Sequence, residues 1–442
     1  MADVERINTP VEAAIAEHFA GVKATLPGDA GARETAFARF TEAGLPHRRV
    51  EEWKYTDLRN LMREAAALAP ALSDDAAKAA LEASPWFSGV DAVRIAIANG
   101  HVVASASDLA DLPEGVTLET LSQALAAGHA DLAHLGAIPE AGDNIAVALN
   151  SAFMTDGVVI RVKAGTKVTM PLHLRFVITG DSAVATATRS LVVVEKAASV
   201  TLLESHDSAD GLAHQPNNMV EMVVGDEAQV AHFRIDGHGT SAQALSTLTA
   251  HLGAHVAFDT LNIVARPGLV RHQVYMTFAG EHTKGAVRGA TMLTGKQHAD
   301  TTLFVNHVAP HCESRELFKT AIDGNATGVF QGRIAVAREA QKTDGQMMSS
   351  AVLLSDGATM NNKPELEIFA DDVLCAHGAT CGALDDDLLF YLMARGIPRP
   401  EAEALLIESF LGEAVEEAVD ETDEDLREAL LSVARTWLAA RS

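Results

Sequence analysis

The sequence has 442 residues, of which 48% are hydrophobic and 5% aromatic, and its formal net charge is −26 at neutral pH. This length predicts two or three structural units, with an ample core of small aliphatic side chains. So acidic a surface repels phosphate backbones and argues against nucleic-acid binding.

Three cysteines, an odd number, argue against a disulfide framework. The first residues, MADVERINTP, contain no basic segment followed by an apolar one, so no signal peptide is expected. No run approaches the ~18–20 apolar residues of a membrane span. The sequence therefore predicts a cytoplasmic protein without membrane association.

Residues 1–150 are predicted to form a mainly helical N-terminal region. Thr9, Pro10 and Glu12 have the arrangement of a helix start, with a capping threonine and a glutamate three residues later. Further helices are predicted over 74–83 and 118–127. Alternating apolar residues over 91–104 predict two strands, joined by a turn at Asn99 and Gly100.

From about residue 151 to 381, short β-rich runs are separated by glycine, asparagine, aspartate or small residues. A small residue followed by valine recurs, and these valines are spaced 32, 30 and 26 residues apart, at Val168, Val200, Val230 and Val256. Such a loose repeat has the length of one coil of a β-solenoid. An antiparallel sandwich would give similar strands, so the repeat alone leaves both folds open.

Residues 382–442 are predicted to form a helical domain. The run 385–395 ends at Gly396, a residue typical just beyond a helix, and Pro398 and Pro400 mark the next helix start. Nine acidic residues fall between 413 and 428. We interpret them as a solvated helix face in preference to a docking surface for a basic partner.

The segment 289–297 has some features of a phosphate-binding loop. Five residues separate Gly289 from Gly295 where the motif needs four, Gln297 replaces the required Ser or Thr, and no helix is predicted to follow. We therefore expect no ATP hydrolysis by this chain, and the sequence contains no Gly-x-Ser-x-Gly elbow of a serine hydrolase.

Two groups of potential metal ligands stand out. His307, His311 and Cys312 form the first, which we interpret as a polar turn because Pro310 makes a shared helix face doubtful. Cys375 and His377 form the second, and thiolate and imidazole suit iron, zinc and copper. In an extended strand both side chains point to the same side. Their residue types alone still favour a structural thiol and a hydrogen-bonded histidine.

The segment 364–397 closely resembles the C-terminal signature of the SufB/SufD family, the scaffold proteins of the SUF iron–sulfur cluster assembly system. Shorter segments at 44–46, 52–58 and 342–347 also resemble the family, in its SufD form. The absence of cysteines before Cys312 favours SufD over SufB. The matching C-terminal residues are Glu367, Asp371, Asp372, Cys375, His377, Gly378, Ala379, Thr380, Phe390, Tyr391, Leu392, Arg395 and Gly396.

The resemblance implies a right-handed parallel β-helix over 151–381, between the helical regions 1–150 and 382–442. It implies a non-catalytic scaffold subunit that pairs with a SufB-like paralogue and binds a SufC-like ABC ATPase. His377, assisted by Cys375, would serve cluster assembly at the subunit interface, where iron or a nascent cluster is held transiently. No stably bound cofactor is expected. The residues implied in ATPase docking are Leu389, Phe390, Tyr391 and Arg395.

Two alternatives remain beside this interpretation. A β-helix enzyme acting on polysaccharide would share the strand pattern, but it usually carries a secretory signal. A SufB-like scaffold that carries the cluster alone would need the missing N-terminal cysteines. The sequence leaves open the oligomeric state of the isolated chain, a homodimer included, and the roles of Cys312 and Cys381.

Overall fold

The computed structural model describes residues 8–441. The helices are α1 Pro10–Val22, α2 Ala30–Ala43, α3 Leu58–Leu61, α4 Asp74–Ala83, α5 Leu121–Ala127, α6 Pro139–Gly142, α7 Ile145–Phe153, α8 Asp386–Met393, α9 Arg399–Glu416 and α10 Glu424–Arg441. The strands are β1 Val93–Ala98, β2 His101–Val102, β3 Val116–Thr120, β4 Val158–Val162, β5 Leu172–Ile178, β6 Ala185–Val194, β7 Ser199–Ser208, β8 Gln215–Val224, β9 Gln229–Gly237, β10 Gln243–Leu252, β11 Ala257–Val264, β12 Leu269–Phe278, β13 Lys284–Leu293, β14 His298–His307, β15 Glu313–Ile322, β16 Thr327–Val336, β17 Asp344–Leu353, β18 Thr359–Ile368 and β19 Leu374–Gly382.

From β4 onward the chain forms a parallel β-solenoid with two strands in each coil. Successive strands alternate between an odd sheet and an even sheet, and each strand pairs in parallel with the strand two positions along the sequence. Val200 and Val230, two of the repeated valines, are direct register partners. The next partner is Phe258, two residues beyond Val256. The predicted parallel solenoid is confirmed, while its right-handedness stays a prediction.

The N-terminal region closes the first coil. The predicted Asn99–Gly100 turn joins β1 to β2, and β1 lies parallel to β5 at the start of the odd sheet. Residues 118–120, predicted as helix, instead end β3, which pairs antiparallel with β4. The helix starts at Leu121, where Thr120 and Gln123 close a capping box. At this end of the solenoid, an antiparallel strand therefore covers the edge of each sheet: β2 in the odd sheet and β3 in the even sheet.

Charged side chains lie inside the solenoid, where small aliphatic residues were expected. Glu204 on β7 accepts hydrogen bonds from His206, from His232 at 3.0 Å and from Arg234 at 3.1 Å. Burial alone would raise the pKa of Glu204, but these three partners hold it well below its usual range. Arg234 also pairs with Asp236 at 3.0 Å. Mutual pairing makes the burial of this network tolerable.

Helices cover both outer faces of the solenoid. Helices α9 and α10 pack on apolar residues of the odd sheet, among them Phe233 and Ile263. Four residues of the acidic stretch 413–428 form ion pairs here: Glu413 with Lys319 at 2.7 Å, Glu416 with Arg427 at 3.0 Å, Glu417 with Arg288 at 3.5 Å and Glu428 with Arg435 at 2.5 Å. Part of this stretch therefore stabilises the packing of the helices.

The segment 52–58, which carries part of the family resemblance, fastens the N-terminal region to the even sheet. Trp53 is buried, with the Arg271 guanidinium 3.9 Å from its ring centroid. Arg271 also donates to the carbonyl of Glu52 at 2.8 Å and pairs with Asp300 at 2.5 Å. Thr56 donates to the same Asp300 carboxylate. This segment is therefore structural.

Candidate functional site

The last coil of the solenoid leaves both sheets open. Strands β18 and β19 form the final edges of the even and odd sheets, and no further strand of residues 8–441 pairs with them. Phe369, just after β18, and Leu374, the first residue of β19, are exposed, and Leu374 retains 72% of its accessible surface. Free edges with unpaired backbone groups pair readily with another chain. We call this region the open end.

Cys375 and His377 lie on β19, at this open end. Cys375 pairs in register with Gly345 and His377 with Met347, whose side chain is buried in the solenoid interior. The alternation of the strand places both residues on the inward side. Cys375 is half-buried against the interior core, and His377 is exposed. The two predicted ligands therefore lie together over the end of the interior.

The electrostatic surroundings keep the Cys375 thiol protonated. Burial raises its pKa, a hydrogen bond from the Gly345 backbone opposes this shift, and the negative charge of Asp344 adds to it. A metal ion that displaced the proton would reverse this preference, because thiolate is the ligand form.

Two donors do not complete a metal site. Among the residues that the structure describes, no group of three or more His, Cys, Asp or Glu side chains is arranged to hold a metal ion. Iron and zinc sites usually employ three or four protein ligands. Any metal at Cys375 and His377 therefore needs ligands from a partner molecule or from a rearrangement.

Sequence reasoning missed Glu316, a buried carboxyl beneath this site. Glu316 is the register partner of Met347, so it lies two strands from His377, about 10 Å by the usual strand spacing. It is 2% exposed, and neither carboxylate oxygen has a hydrogen-bond partner among residues 8–441. Burial raises its pKa to about 8. In the sequence, Glu316 alternates with Ser314 and Phe318, and this spacing could have placed it on the same inward face of the strand.

A Glu316→Gln variant is expected to gain stability at high pH. The folded protein keeps this proton up to about pH 8, whereas the ordinary glutamate value is 4.5. Between these values the folded state binds more protons, so the free energy of unfolding of the wild type falls as pH rises. Glutamine mimics the protonated form. The variant should match the wild type near pH 5 and exceed it at pH 8 by on the order of a few kcal/mol.

Urea unfolding at both pH values measures this difference. Glu313→Gln, on the same strand but in an exposed ion pair with Lys284, is the matched control and should show no such pH-dependent gain. Equal stability of Glu316→Gln and wild type at pH 8 would show that the carboxylate finds solvent or a partner.

The first predicted ligand group does not assemble. His307 lies inside the solenoid, stacked on Phe278 at 4.3 Å and bonded to Ser314 at 3.1 Å, and burial lowers its pKa to about 4. His311 is exposed on a turn, as the polar-turn interpretation expects, and Cys312 is buried behind it. On the open end, Cys381 is exposed further along β19.

The helix α8 presents an apolar surface to solvent. Leu388, Phe390, Tyr391 and Met393 are exposed, with Phe390 at 73%, and the Arg395 guanidinium lies 3.6 Å from the Tyr391 ring centroid. Leu389 differs from the other predicted docking residues because it is only 4% exposed. It anchors α8 within the helical domain. Contiguous exposed apolar side chains typically mark an interaction site.

The segment 289–297 forms the end of β13, a turn and the approach to β14, so strands flank it on both sides. This agrees with the prediction that the segment lies among strands and that no helix follows it. Within residues 8–441, none of the helices combines the length and apolarity that spanning a bilayer requires.

Comparison with known proteins matches nearly the whole chain. Residues 176–410 match the family model described as SUF system FeS cluster assembly, SufBD core domain, and residues 26–174 match the SufBD protein N-terminal region. An iron–sulfur cluster assembly SufBD family protein of Synechocystis is 34% identical over 384 residues, which is 84% of each chain. The iron–sulfur cluster assembly protein SufD of Escherichia coli is 28% identical over 395 residues, covering 87% of this chain and 88% of the relative.

Proposed function

The chain belongs to the SufB/SufD family of SUF iron–sulfur cluster assembly proteins, and we propose that it acts as the SufD-like subunit of an assembly scaffold. In this role it pairs with a SufB-like paralogue and binds a SufC-like ABC ATPase. The observation that carries the proposal is the open end, which presents Cys375 and His377 beside two unpaired sheet edges.

Pairing at the open end would supply the neighbouring strands and the metal donors that this chain does not provide by itself. A second solenoid that adds its own strands to β18 and β19 would satisfy the free backbone groups and bury Phe369 and Leu374. It would also bring further donors to Cys375 and His377. Iron or a nascent cluster is then the cargo held between the subunits, and the scaffold needs no catalytic group of its own. Two copies of this chain could use the same edges.

The exposed face of α8 supports the second partnership. Its apolar side chains, with Arg395 at the margin, suit a groove on the ATPase. Helix α8 packs on α9, and α9 packs on β13 and β15 of the odd sheet. A movement of the ATPase subunits driven by ATP would therefore reach the solenoid through packed elements and shift the interface at the open end.

A Leu374→Lys variant tests the pairing. A lysine at this exposed position leaves the fold intact but places an unpaired charge in the proposed interface, which costs on the order of several kcal/mol when buried. We expect the variant to elute as a separate chain when mixed with the SufB-like paralogue, whereas wild type co-elutes in gel filtration.

Leu405→Lys is the matched control, since Leu405 is an exposed leucine on α9, outside the open end. It should pair normally. Undiminished complex formation by Leu374→Lys, together with loss in Leu405→Lys, would move the interface away from the open end.

A further inference from the structure

One residue in each of six successive coils adopts a left-handed backbone conformation at the same turn. The turn precedes each odd strand, and the backbone N–H of the left-handed residue donates to a carbonyl in the corresponding turn of the next coil; for His255 and His311 these bonds are 2.8 and 2.9 Å. The six residues, with φ between 55° and 65°, are Ala197, Glu227, His255, His282, His311 and Lys342.

Three consecutive members of this row are histidines with stacked rings. The ring centroids of His255 and His282 are 5.2 Å apart, and those of His282 and His311 are 4.8 Å apart, with interplanar angles of 14° in both pairs. All three side chains are exposed. We call His255, His282 and His311 the histidine ladder.

The backbone does not require histidine at these positions. Gly165 occupies the corresponding turn of an earlier coil with φ of 72° and donates the equivalent hydrogen bond to Lys196. Glycine adopts this conformation without the steric cost that a side chain adds. Within residues 8–441, no ring nitrogen of the histidine ladder forms a hydrogen bond to protein. The three imidazoles therefore serve neither the turn nor a packing contact in the interior.

The charges around the histidine ladder suit a cation. Glu281 precedes His282 on the same exposed turn, and no ion pair of Glu281 occurs in the described part of the chain. The neighbouring residues of the row are already paired, Glu227 with Lys196 at 2.9 Å and Lys342 with Asp372. Among the described residues, Glu281 is thus an exposed carboxylate without an ion pair, next in sequence to the central histidine of the ladder.

We propose that the histidine ladder binds a divalent transition-metal ion, of the class that imidazole prefers, with Glu281 as an additional oxygen ligand. Zinc, nickel, copper and ferrous iron belong to this class. As they stand, the parallel rings do not converge on one point, so the histidine ladder is not an assembled metal site among residues 8–441. Because the side chains are exposed and adjacent strands are only ~4.8 Å apart, rotation of the outer rings toward His282 brings their nitrogens within reach of one ion.

This site is separate from Cys375 and His377. Lys342 and the Asp372 turn lie between His311 and β19, a distance of about two coils. The histidine ladder lies on the turns of the solenoid, so it stays accessible when the open end is covered. The proposal does not depend on the SufD-like role.

Cobalt(II) binding to the full chain tests the proposal, because imidazole ligation changes its visible absorption and zinc competes for the same ligands. We expect the His282→Asn variant to bind cobalt about tenfold more weakly or worse than wild type, since loss of even an outer-shell partner costs that much. Asparagine tolerates the left-handed conformation, so the turn should remain intact. Unchanged melting temperature checks this.

Ala197→Asn is the matched control, because Ala197 occupies the same left-handed turn position two coils before His255 and carries no potential ligand. It should leave the cobalt affinity and spectrum unchanged while the combined His255→Asn, His282→Asn and His311→Asn variant loses them. Retention of the wild-type affinity and spectrum in the folded triple variant would overturn the proposal. So would loss of all cobalt binding in His377→Asn, which would assign the metal to the open end instead.

Discussion

A Phe390→Asp variant is expected to fold normally and to lose binding to the ABC ATPase subunit. Phe390 is the most exposed large apolar side chain of α8, so the free protein tolerates a carboxylate there. In the proposed complex the same carboxylate would be buried in an apolar groove without a partner. That burial costs on the order of several kcal/mol, enough to abolish micromolar binding at working concentrations.

Calorimetric titration of the ATPase subunit into each variant measures this effect. Leu388→Asp, on the same exposed helix, should weaken binding as well. Met170→Asp alters an exposed apolar residue that precedes β5, outside the helical domain, and should bind like wild type. Full affinity of a well-folded Phe390→Asp variant would exclude α8 as the docking surface.

Point variants are the appropriate test because the helical domain also protects the solenoid. Deletion from Asp385 onward would remove α9 and α10 and expose the apolar residues of the odd sheet beneath them, Phe233 and Ile263 among them. We therefore expect the truncated chain to aggregate, so its loss of binding would not separate docking from folding.

Features encoded locally were predictable from the sequence. The threonine cap at Thr9, the Asn99–Gly100 turn and the helix that ends before Gly396 all occur as expected. Each depends on a few adjacent residues with distinct backbone preferences. The predicted repeat was also confirmed for Val200 and Val230, because residues at equivalent positions of successive coils pair in register and point into the interior.

Features set by contacts between distant coils were not predictable. Glu204 and Arg234 alternate with apolar residues as an exposed strand would, and only the stacking of β7 on β9 shows that they pair inside. Glu316 was missed for the same reason. In α8 the apolar residues run almost continuously, so periodicity could not tell that Leu389 packs inward while Phe390 faces solvent.

The candidate site illustrates both cases. Cys375 and His377 are two residues apart on one strand, so their common direction followed from the sequence. Their position over the end of the interior depends on Gly345 and Met347, which lie 30 residues earlier in the register of β17. Which residues of β17 and β19 pair is known only from the structure.

His377→Ala is expected to fold, to form the complex with both partners, and yet to fail in iron–sulfur cluster assembly. The His377 side chain is exposed at the open end, so its removal takes no packing from the core. Alanine can neither ligate iron nor carry a proton near neutral pH, whereas imidazole can do both. Cys375→Ala should have a milder effect, since its half-buried thiol holds its proton and is the weaker donor.

Cells that depend on this chain for cluster supply allow the comparison. Each variant is scored for melting temperature, recovery of the complex and activity of an iron–sulfur enzyme. Cys381→Ala, an exposed residue on the same strand, is the matched control and should behave as wild type. If His377 had only a structural role, enzyme activity would fall in proportion to the loss of folded complex. Normal enzyme activity with a fully assembled His377→Ala complex would remove His377 from the assembly site.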